Sequence, residues 1–140
     1  MKWFFDTSVL IPVFMEDHEH HEASLTAFIA ADKKRACCAA HSLAELYSVL
    51  TRLPGTRLSG EQVLLFLEAI EEHLTVIALD GREYYSTIRE AAASGIVGGM
   101  LYDALLARCA RKAGAEVIYT WNVQHFRRLG PEVASRTMTP

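Results

Sequence analysis

The sequence predicts an α/β fold, a three-layer sandwich in which helices flank both faces of a central, mainly parallel sheet of four to five strands. Short apolar runs alternate with longer amphipathic stretches, and capping or turn-forming residues separate them. The chain has 140 residues, and we expect a single domain over residues 1–140. With 51% hydrophobic and 22% charged residues, it has the composition of a globular protein.

The first half of the chain begins with a buried strand over residues 2–5. Asp6-Thr7-Ser8 follow it, and all three favour the N-cap of a helix. We expect a short helix next, and Pro12 is acceptable in its first turn. The further elements before the Pro54-Gly55 loop are a helix over 19–32, a strand over 36–40 and a helix over about 42–53.

The second half carries clearer helix starts. Ser59 with Gln62, and Asp80 with Glu83, match capping boxes for two helices, the first running to about residue 73. The further predicted elements are strands over 74–79 and 116–120, a helix over 100–113 and one edge strand near Arg136, in an otherwise short and irregular C-terminal segment.

Several classes of protein are disfavoured by composition and motifs. No apolar run approaches the roughly 20 residues of a membrane span, and Asp6 interrupts the N-terminal apolar stretch too early for a signal peptide. Cys37, Cys38 and Cys109 lack metal-ligand spacing, so we expect reduced core thiols and a cytoplasmic protein. The net charge of −3 argues against a general nucleic-acid coat protein, but it does not exclude an enzyme that holds nucleic acid through metal ions.

The ends of the predicted strands are the first place to look for a site. In parallel sheets the functional crevice lies outside the carboxyl ends of the strands. That rule selects Asp6, Thr7 and Ser8 after the first strand, and Thr120 to Asn122 after the fourth. Taken alone, Asp6 is explained equally well as a helix N-cap.

Asp103 and Glu45 add two carboxylates on separate helices. On a helical wheel Asp103 falls among apolar residues, on the side opposite Arg108, Arg111 and Lys112. An unpaired carboxylate there is costly, so it needs a cation, a hydrogen-bond network or an opening to solvent. Glu45 lies at the border of a buried stripe and could reach a cleft, but Ser42 to Glu45 also matches a capping box, and the two roles compete.

Carboxylates that converge on one point repel each other, and a divalent cation relieves the repulsion. Ligands that are all oxygen select a hard ion such as Mg²⁺ or Mn²⁺. Such an ion polarises a phosphoryl oxygen and activates a water. The expected chemistry is phosphodiester hydrolysis.

With these residues in place, the chain resembles the PIN-domain family, and within it the VapC-like toxins of bacterial toxin–antitoxin pairs. The order and spacing of the motifs cover essentially the whole chain. The matching motifs are Phe4-Phe5-Asp6-Thr7-Ser8, Leu43-Ala44-Glu45-Leu46, Tyr102-Asp103-Ala104-Leu105-Leu106-Ala107 and Tyr119-Thr120-Trp121-Asn122-Val123-Gln124-His125-Phe126.

The resemblance implies a PIN-like α/β sandwich, a Mg²⁺ or Mn²⁺ centre and cleavage of single-stranded RNA. It assigns the metal to Asp6, Glu45 and Asp103, and it gives a supporting role to the hydroxyl residues Thr7, Ser8 and Thr120. It also implies a cognate antitoxin whose tail enters the acidic groove, and it leaves a homodimer open.

Asn122 departs from the family pattern, since many relatives carry an acid there. An asparagine offers an oxygen but no charge, so we expect one firmly held ion and a second only with substrate phosphate. Arg127 and Arg128 follow closely and are candidates for contacts with substrate phosphates.

Other interpretations stay open. The main alternative is a non-catalytic PIN-fold module that binds RNA or a protein through a weakened metal site, and a DNA nuclease is a third. The run from His18 to Glu22 has metal-like spacing but is typical of solvated surface. His41, His73 and His125 are isolated, with no partner predicted.

Overall fold

The structure is a computed structural model that describes residues 1–55 and 57–140. Within these residues one sheet is formed by β1 (Trp3–Phe5), β2 (Ala36–Ala39), β3 (Thr75–Ile77), β4 (Val117–Tyr119) and β5 (Thr137–Met138). The strand order is β3-β2-β1-β4-β5, and every neighbouring pair is parallel. The predicted α/β class with a parallel sheet is confirmed, including the edge strand expected near Arg136.

Helices fill the connections between the strands. In the described residues they are α1 (Thr7–Val13), α2 (His21–Ile29), α3 (Ala40–Leu50), α4 (Gly60–His73), α5 (Gly81–Ala93), α6 (Met100–Lys112), α7 (Val123–Arg127) and α8 (Pro131–Arg136). No helix in this part of the chain is long and apolar enough to cross a membrane.

Alternate residues of β1 belong to the cores on the two faces of the sheet. Phe5 packs with Cys38 and with residues of α1 to α4 on one face. Phe4 packs with Cys37 and with residues of α6 to α8 on the other. Because side chains alternate along a strand, a strand buried on both faces is apolar throughout, which is why residues 3–5 and 36–39 carry no polar side chain.

Two of the three predicted capping boxes are present. Ser59 with Gln62 caps α4, and Asp80 with Glu83 caps α5. The third, from Ser42 to Glu45, is wrong because β2 runs directly into α3. The N-cap of α3 is Ala39, so both side chains lie inside the helix and are free for other contacts.

Two boundaries also differ from the prediction. The helix expected over 19–32 is shorter, because the Asp32 carboxylate accepts the backbone N–H groups of Lys34 and Arg35 in a tight turn before β2. The segment after β4, expected to be largely irregular, contains α7 and α8. Pro131 begins α8, where its fixed φ angle suits the first turn.

Candidate active site

Asp6 and Thr120 are neighbours at the carboxyl edge of the sheet. β1 and β4 pair in parallel with Phe5 opposite Tyr119, so the residues that follow lie side by side. The backbone N–H of Asp6 donates to the Tyr119 carbonyl at 2.9 Å. The Thr120 hydroxyl donates to Oδ2 of Asp6 at 2.7 Å. The two strand ends selected from the sequence therefore meet.

The carboxylate of Asp6 is held by two hydroxyls. Ser8 Oγ donates to the same Oδ2 at 2.7 Å. Ser8 and Thr120 in turn accept the backbone N–H groups of Trp121 and Asn122, each at 2.9 Å, which directs their hydroxyl hydrogens to the carboxylate. Both bind Oδ2, and within residues 1–55 and 57–140 no hydroxyl donates to Oδ1.

Asp6 occupies the N-cap position of α1 but makes no side-chain capping bond. It is 2% exposed. Burial raises its pKa above the ordinary value, while the Ser8 and Thr120 hydroxyls act in the opposite direction. Its side-chain contacts therefore point to a site residue rather than to a simple helix cap.

Glu45 faces the same region from α3. Thr7 Oγ1 lies 3.2 Å from Glu45 Oε1 and 2.7 Å from Oγ of the fully buried Ser42. His41, one turn earlier on the helix, brings Nε2 to 3.6 Å from Oε1. Burial is the largest factor raising the pKa of Glu45, and the charge of Asp6 adds to it, whereas His41 and Thr7 lower it.

Asp103, in the first turn of α6, completes the cluster. Its side chain is 18% exposed, and its Oδ2 lies 3.4 Å from Nδ1 of His125. The pKa of Asp103 is raised to about 6, and burial is the largest cause. The negative charges of Asp6 and Glu45 raise this pKa further, whereas His125 lowers it. Asp103 therefore shares one electrostatic neighbourhood with both other carboxylates.

The donor chemistry of Asp6, Glu45 and Asp103 fits a hard divalent cation. All three side chains offer oxygen, and burial raises the pKa of each one. Repulsion by the charge of Asp6 raises the pKa of Glu45 and of Asp103 further. A cation would remove that repulsion. Within residues 1–55 and 57–140, however, no three or more His, Cys, Asp or Glu side chains already form a closed metal-binding cluster.

The remaining predicted residues are exposed. Asn122 is exposed and joins the hydroxyl network through its backbone N–H alone. Arg127 and Arg128 are exposed at the end of α7. In the described part of the chain, neither arginine forms an ion pair or hydrogen bond with the three carboxylates.

Sequence reasoning misses two side chains that contact the carboxylates, His41 and His125, which it leaves isolated. It also misses Ser42, which contacts the supporting residue Thr7 instead of capping a helix. His41 had a detectable signal, since it precedes Glu45 by four residues on one helix. His125 had none, because the contact to Asp103 joins two helices that only the fold brings together.

The histidine-rich run from His18 to Glu22 makes contacts within the protein. The His20 ring stacks on Trp121, with centroids 3.7 Å apart and planes 7° from parallel. His21 Nδ1 lies 2.7 Å from the Pro12 carbonyl oxygen. Through Trp121 the start of α2 packs beside the hydroxyl network, so part of the run is more than solvated surface.

Known proteins resemble the chain in sequence over most of its length. A family model for the PIN domain matches residues 3–130. Ribonuclease VapC40 of Mycobacterium tuberculosis is 37% identical over 114 residues, which is 81% of this chain and 81% of that protein. Ribonuclease VapC27 of the same organism is 38% identical over 113 residues, 80% of this chain and 79% of that protein.

Solved structures resemble it in fold. VapC20 of Mycobacterium tuberculosis, a toxin that cleaves the sarcin–ricin loop, matches with a TM-score of 0.72 at 14% identity, over 89% of this chain and 92% of that one. A chain of VapBC2 from Rickettsia felis, bound to a DNA fragment from their promoter, matches with a TM-score of 0.64 at 19% identity, over 94% and 95%. Together with the motifs that form the acidic cluster, the family match over residues 3–130 establishes that this chain belongs to the PIN-domain family.

Proposed function

We propose that this protein is a metal-dependent endoribonuclease that hydrolyses phosphodiester bonds of single-stranded RNA and acts as the toxin of a toxin–antitoxin pair. Two contacts between elements support a shared site for Asp6, Glu45 and Asp103 and carry the proposal. Thr7, next to Asp6, lies 3.2 Å from Glu45 Oε1, and Tyr102, next to Asp103, stacks on His41, one turn before Glu45. The relatives named ribonucleases support the same activity.

Asp6, Glu45 and Asp103 would hold Mg²⁺ or Mn²⁺, since all their donors are oxygen. Such an ion, when bound, polarises a phosphoryl oxygen and lowers the pKa of a bound water. The exposed Asn122 adds an oxygen without charge, which favours one firmly held ion. A second ion would then require the charge of a substrate phosphate.

The supporting residues orient the carboxylates and affect their ionisation. Ser8 and Thr120 fix Asp6 and favour its ionised form through two short hydroxyl bonds. Thr7 ties Glu45 to the buried Ser42 and so limits its rotamers. Arg127 and Arg128, exposed at the end of α7, would contact substrate phosphates and set the register of the strand.

A cognate antitoxin is the expected protein partner. The similarity to a chain of VapBC2 supports it, and an acidic groove suits a basic antitoxin tail. A homodimer is also part of the proposal.

The cytoplasm is the proposed location of the protein. Its three buried cysteines, Cys37, Cys38 and Cys109, are free thiols, which is consistent with that location.

The enzymatic part is tested with purified protein and labelled single-stranded RNA. We expect cleavage with Mg²⁺ or Mn²⁺, none with a chelator and none with Asp6→Asn. Glu90→Gln is the matched control, because Glu90 is an exposed acid on α5 that lies 4.0 Å from Arg108 of α6. Absence of a metal-dependent product over varied RNAs, with Asp6→Asn equal to the parent, would overturn the proposal. A DNA strand of the same sequence tests the DNA-nuclease alternative.

The alternative is a non-catalytic PIN-fold module that binds RNA or a protein through a weakened metal site. Asn122 favours it, because that position adds no negative charge. The two functions differ in one result: the module binds RNA or a protein partner but leaves the RNA intact in Mg²⁺ and in Mn²⁺.

The toxin role is tested in a bacterial host. Expression without a partner is expected to slow growth, and Asp103→Asn is expected to relieve it. Equal growth of the two strains at equal protein levels would contradict toxicity.

A further inference from the structure

Tyr102 places an exposed aromatic ring beside the acidic cluster. It directly precedes Asp103 on α6 and is 52% exposed. Its ring stacks on His41, with centroids 5.3 Å apart and planes 5° from parallel. The stack joins the helix that carries Asp103 to the helix that carries Glu45.

The His41 contact fixes the orientation of this ring. His41 is itself held near Glu45, with Nε2 at 3.6 Å from Oε1. An exposed tyrosine normally samples several rotamers, and ordering it costs conformational entropy. Here one face rests on an imidazole, and about half of the residue stays open to solvent.

The charge of the site makes such a ring useful to an RNA enzyme. The chain carries a net charge of −3, and the candidate site is built from three carboxylates, so phosphate groups are repelled wherever a metal ion does not screen them. Stacking of a base on an aromatic face needs no charge. Single-stranded RNA is commonly held in this way.

We propose that Tyr102 is a base-binding platform, on whose open face the nucleobase next to the cleaved phosphate stacks. The inference rests on the proposed function, since it assumes single-stranded RNA in the acidic cleft. It makes Tyr102 a substrate-binding residue, with His41 as the positioning residue behind it.

The test measures binding of a short fluorescent oligouridylate, and of an abasic ribose-phosphate strand of equal length, by anisotropy. Ca²⁺ replaces Mg²⁺, and a gel confirms that the strands stay intact. Tyr102→Ala is expected to weaken binding of the oligouridylate roughly 5- to 150-fold and to leave the abasic strand unaffected. Tyr102→Phe keeps the ring and is expected to restore binding.

Tyr85→Ala is the matched control. Tyr85 is 64% exposed on α5, and the Arg89 guanidinium carbon lies 4.9 Å from the centroid of its ring. Equal loss for both strands would make the Tyr102 ring a support for the carboxylates and overturn the platform. Unchanged oligouridylate binding by Tyr102→Ala would also overturn the platform. The same holds if the variant binds oligouridylate as the parent does and loses only its binding to a protein partner. A parent that neither binds nor cleaves RNA would refute the proposed function itself, and the platform with it.

Discussion

Thr120 and Asp6 are 114 positions apart in the chain, yet the Thr120 hydroxyl donates to Oδ2 of Asp6 at 2.7 Å. The bond crosses from the end of β4 to the end of β1, and the carboxylate that it reaches is 2% exposed. An ionised group in that position depends on its donors, because water reaches it poorly. Burial raises the pKa of Asp6, and the Thr120 and Ser8 hydroxyls favour its ionised form against that effect.

Replacing Thr120 by valine tests that dependence. Thr120→Val keeps the shape and removes one donor to a buried carboxylate. In metal-free buffer near pH 7.5 we expect the free energy of unfolding to fall by roughly 1.5–3 kcal/mol, the range for hydrogen bonds to charged groups. Urea unfolding measures it.

Thr137→Val is its matched control. Thr137 is also a buried threonine at the sheet, but its hydroxyl donates to the neutral Val133 carbonyl at 2.8 Å. For Thr137→Val we expect the free energy of unfolding to fall by roughly 0.5–1.5 kcal/mol. Equal losses for the two variants would mean that Asp6 is not ionised in the folded protein.

Metal-free protein is expected to lose stability as the pH rises from about 4 to about 7. The pKa of Asp103 is about 6 in the folded state, against about 3.9 in an unfolded chain. Between these values the folded state binds more protons, so the free energy of unfolding falls with rising pH. The full penalty, reached above pH 6, is at most about 3 kcal/mol, and solvent screening reduces it.

Asp103→Asn isolates the contribution of Asp103 to that pH dependence. The variant is expected to be more stable than the parent near pH 7.5 and equal to it near pH 4, where the parent carboxyl is protonated. Denaturant curves at the two pH values give the comparison. The same difference in stability between variant and parent at both pH values would contradict a raised pKa of Asp103.

Local sequence signals are enough to select Asp6 and Asp103 as candidates, whereas they leave Glu45 between a cap and a site role. Asp6 follows an apolar strand, and Asp103 stands among apolar residues on its helical wheel, so each is anomalous within a few residues of chain. The rule that parallel strands place their functional residues at the carboxyl edge then connects Asp6 with Thr120. The class of the sheet follows from the alternation of the same runs.

The contacts around the carboxylates could not be found in that way. Whether Ser42 caps a helix or lies within one depends on how β2 joins α3, and the sequence matches a capping box in either case. The pairs Thr7 with Ser42, His41 with Tyr102 and His125 with Asp103 each join different elements. Such contacts depend on helix packing angles, which no local pattern encodes.

Mg²⁺ or Mn²⁺ is expected to stabilise the folded parent. A ligand at about 100 times its dissociation constant adds roughly 2.7 kcal/mol when it binds only the folded state. Thermal melts with each metal, then with a chelator, should show a rise in Tm that the chelator reverses. Asp103→Asn is expected to lose most of this rise, and Glu90→Gln to keep it. Equal rises in both variants would place the bound metal elsewhere.

Thr7 is expected to act on the metal through Glu45. Thr7→Val removes the hydroxyl that lies within hydrogen-bond distance of both Glu45 and Ser42, so the Glu45 carboxylate gains rotamers that face away from Asp6. Loss of such an outer contact typically lowers metal affinity roughly 10- to 100-fold. Calorimetric titration with Mn²⁺ measures the change directly.

Thr87→Val is the control for the Thr7 prediction. Thr87 is a similarly buried helical threonine, but its hydroxyl donates to the Glu83 backbone carbonyl at 2.7 Å, on α5. It should lose some stability and keep the Mn²⁺ affinity of the parent. If Thr7→Val also keeps that affinity while losing as much stability as Thr87→Val, its hydroxyl serves packing alone. Glu45 would then find its position near Asp6 without help from Thr7.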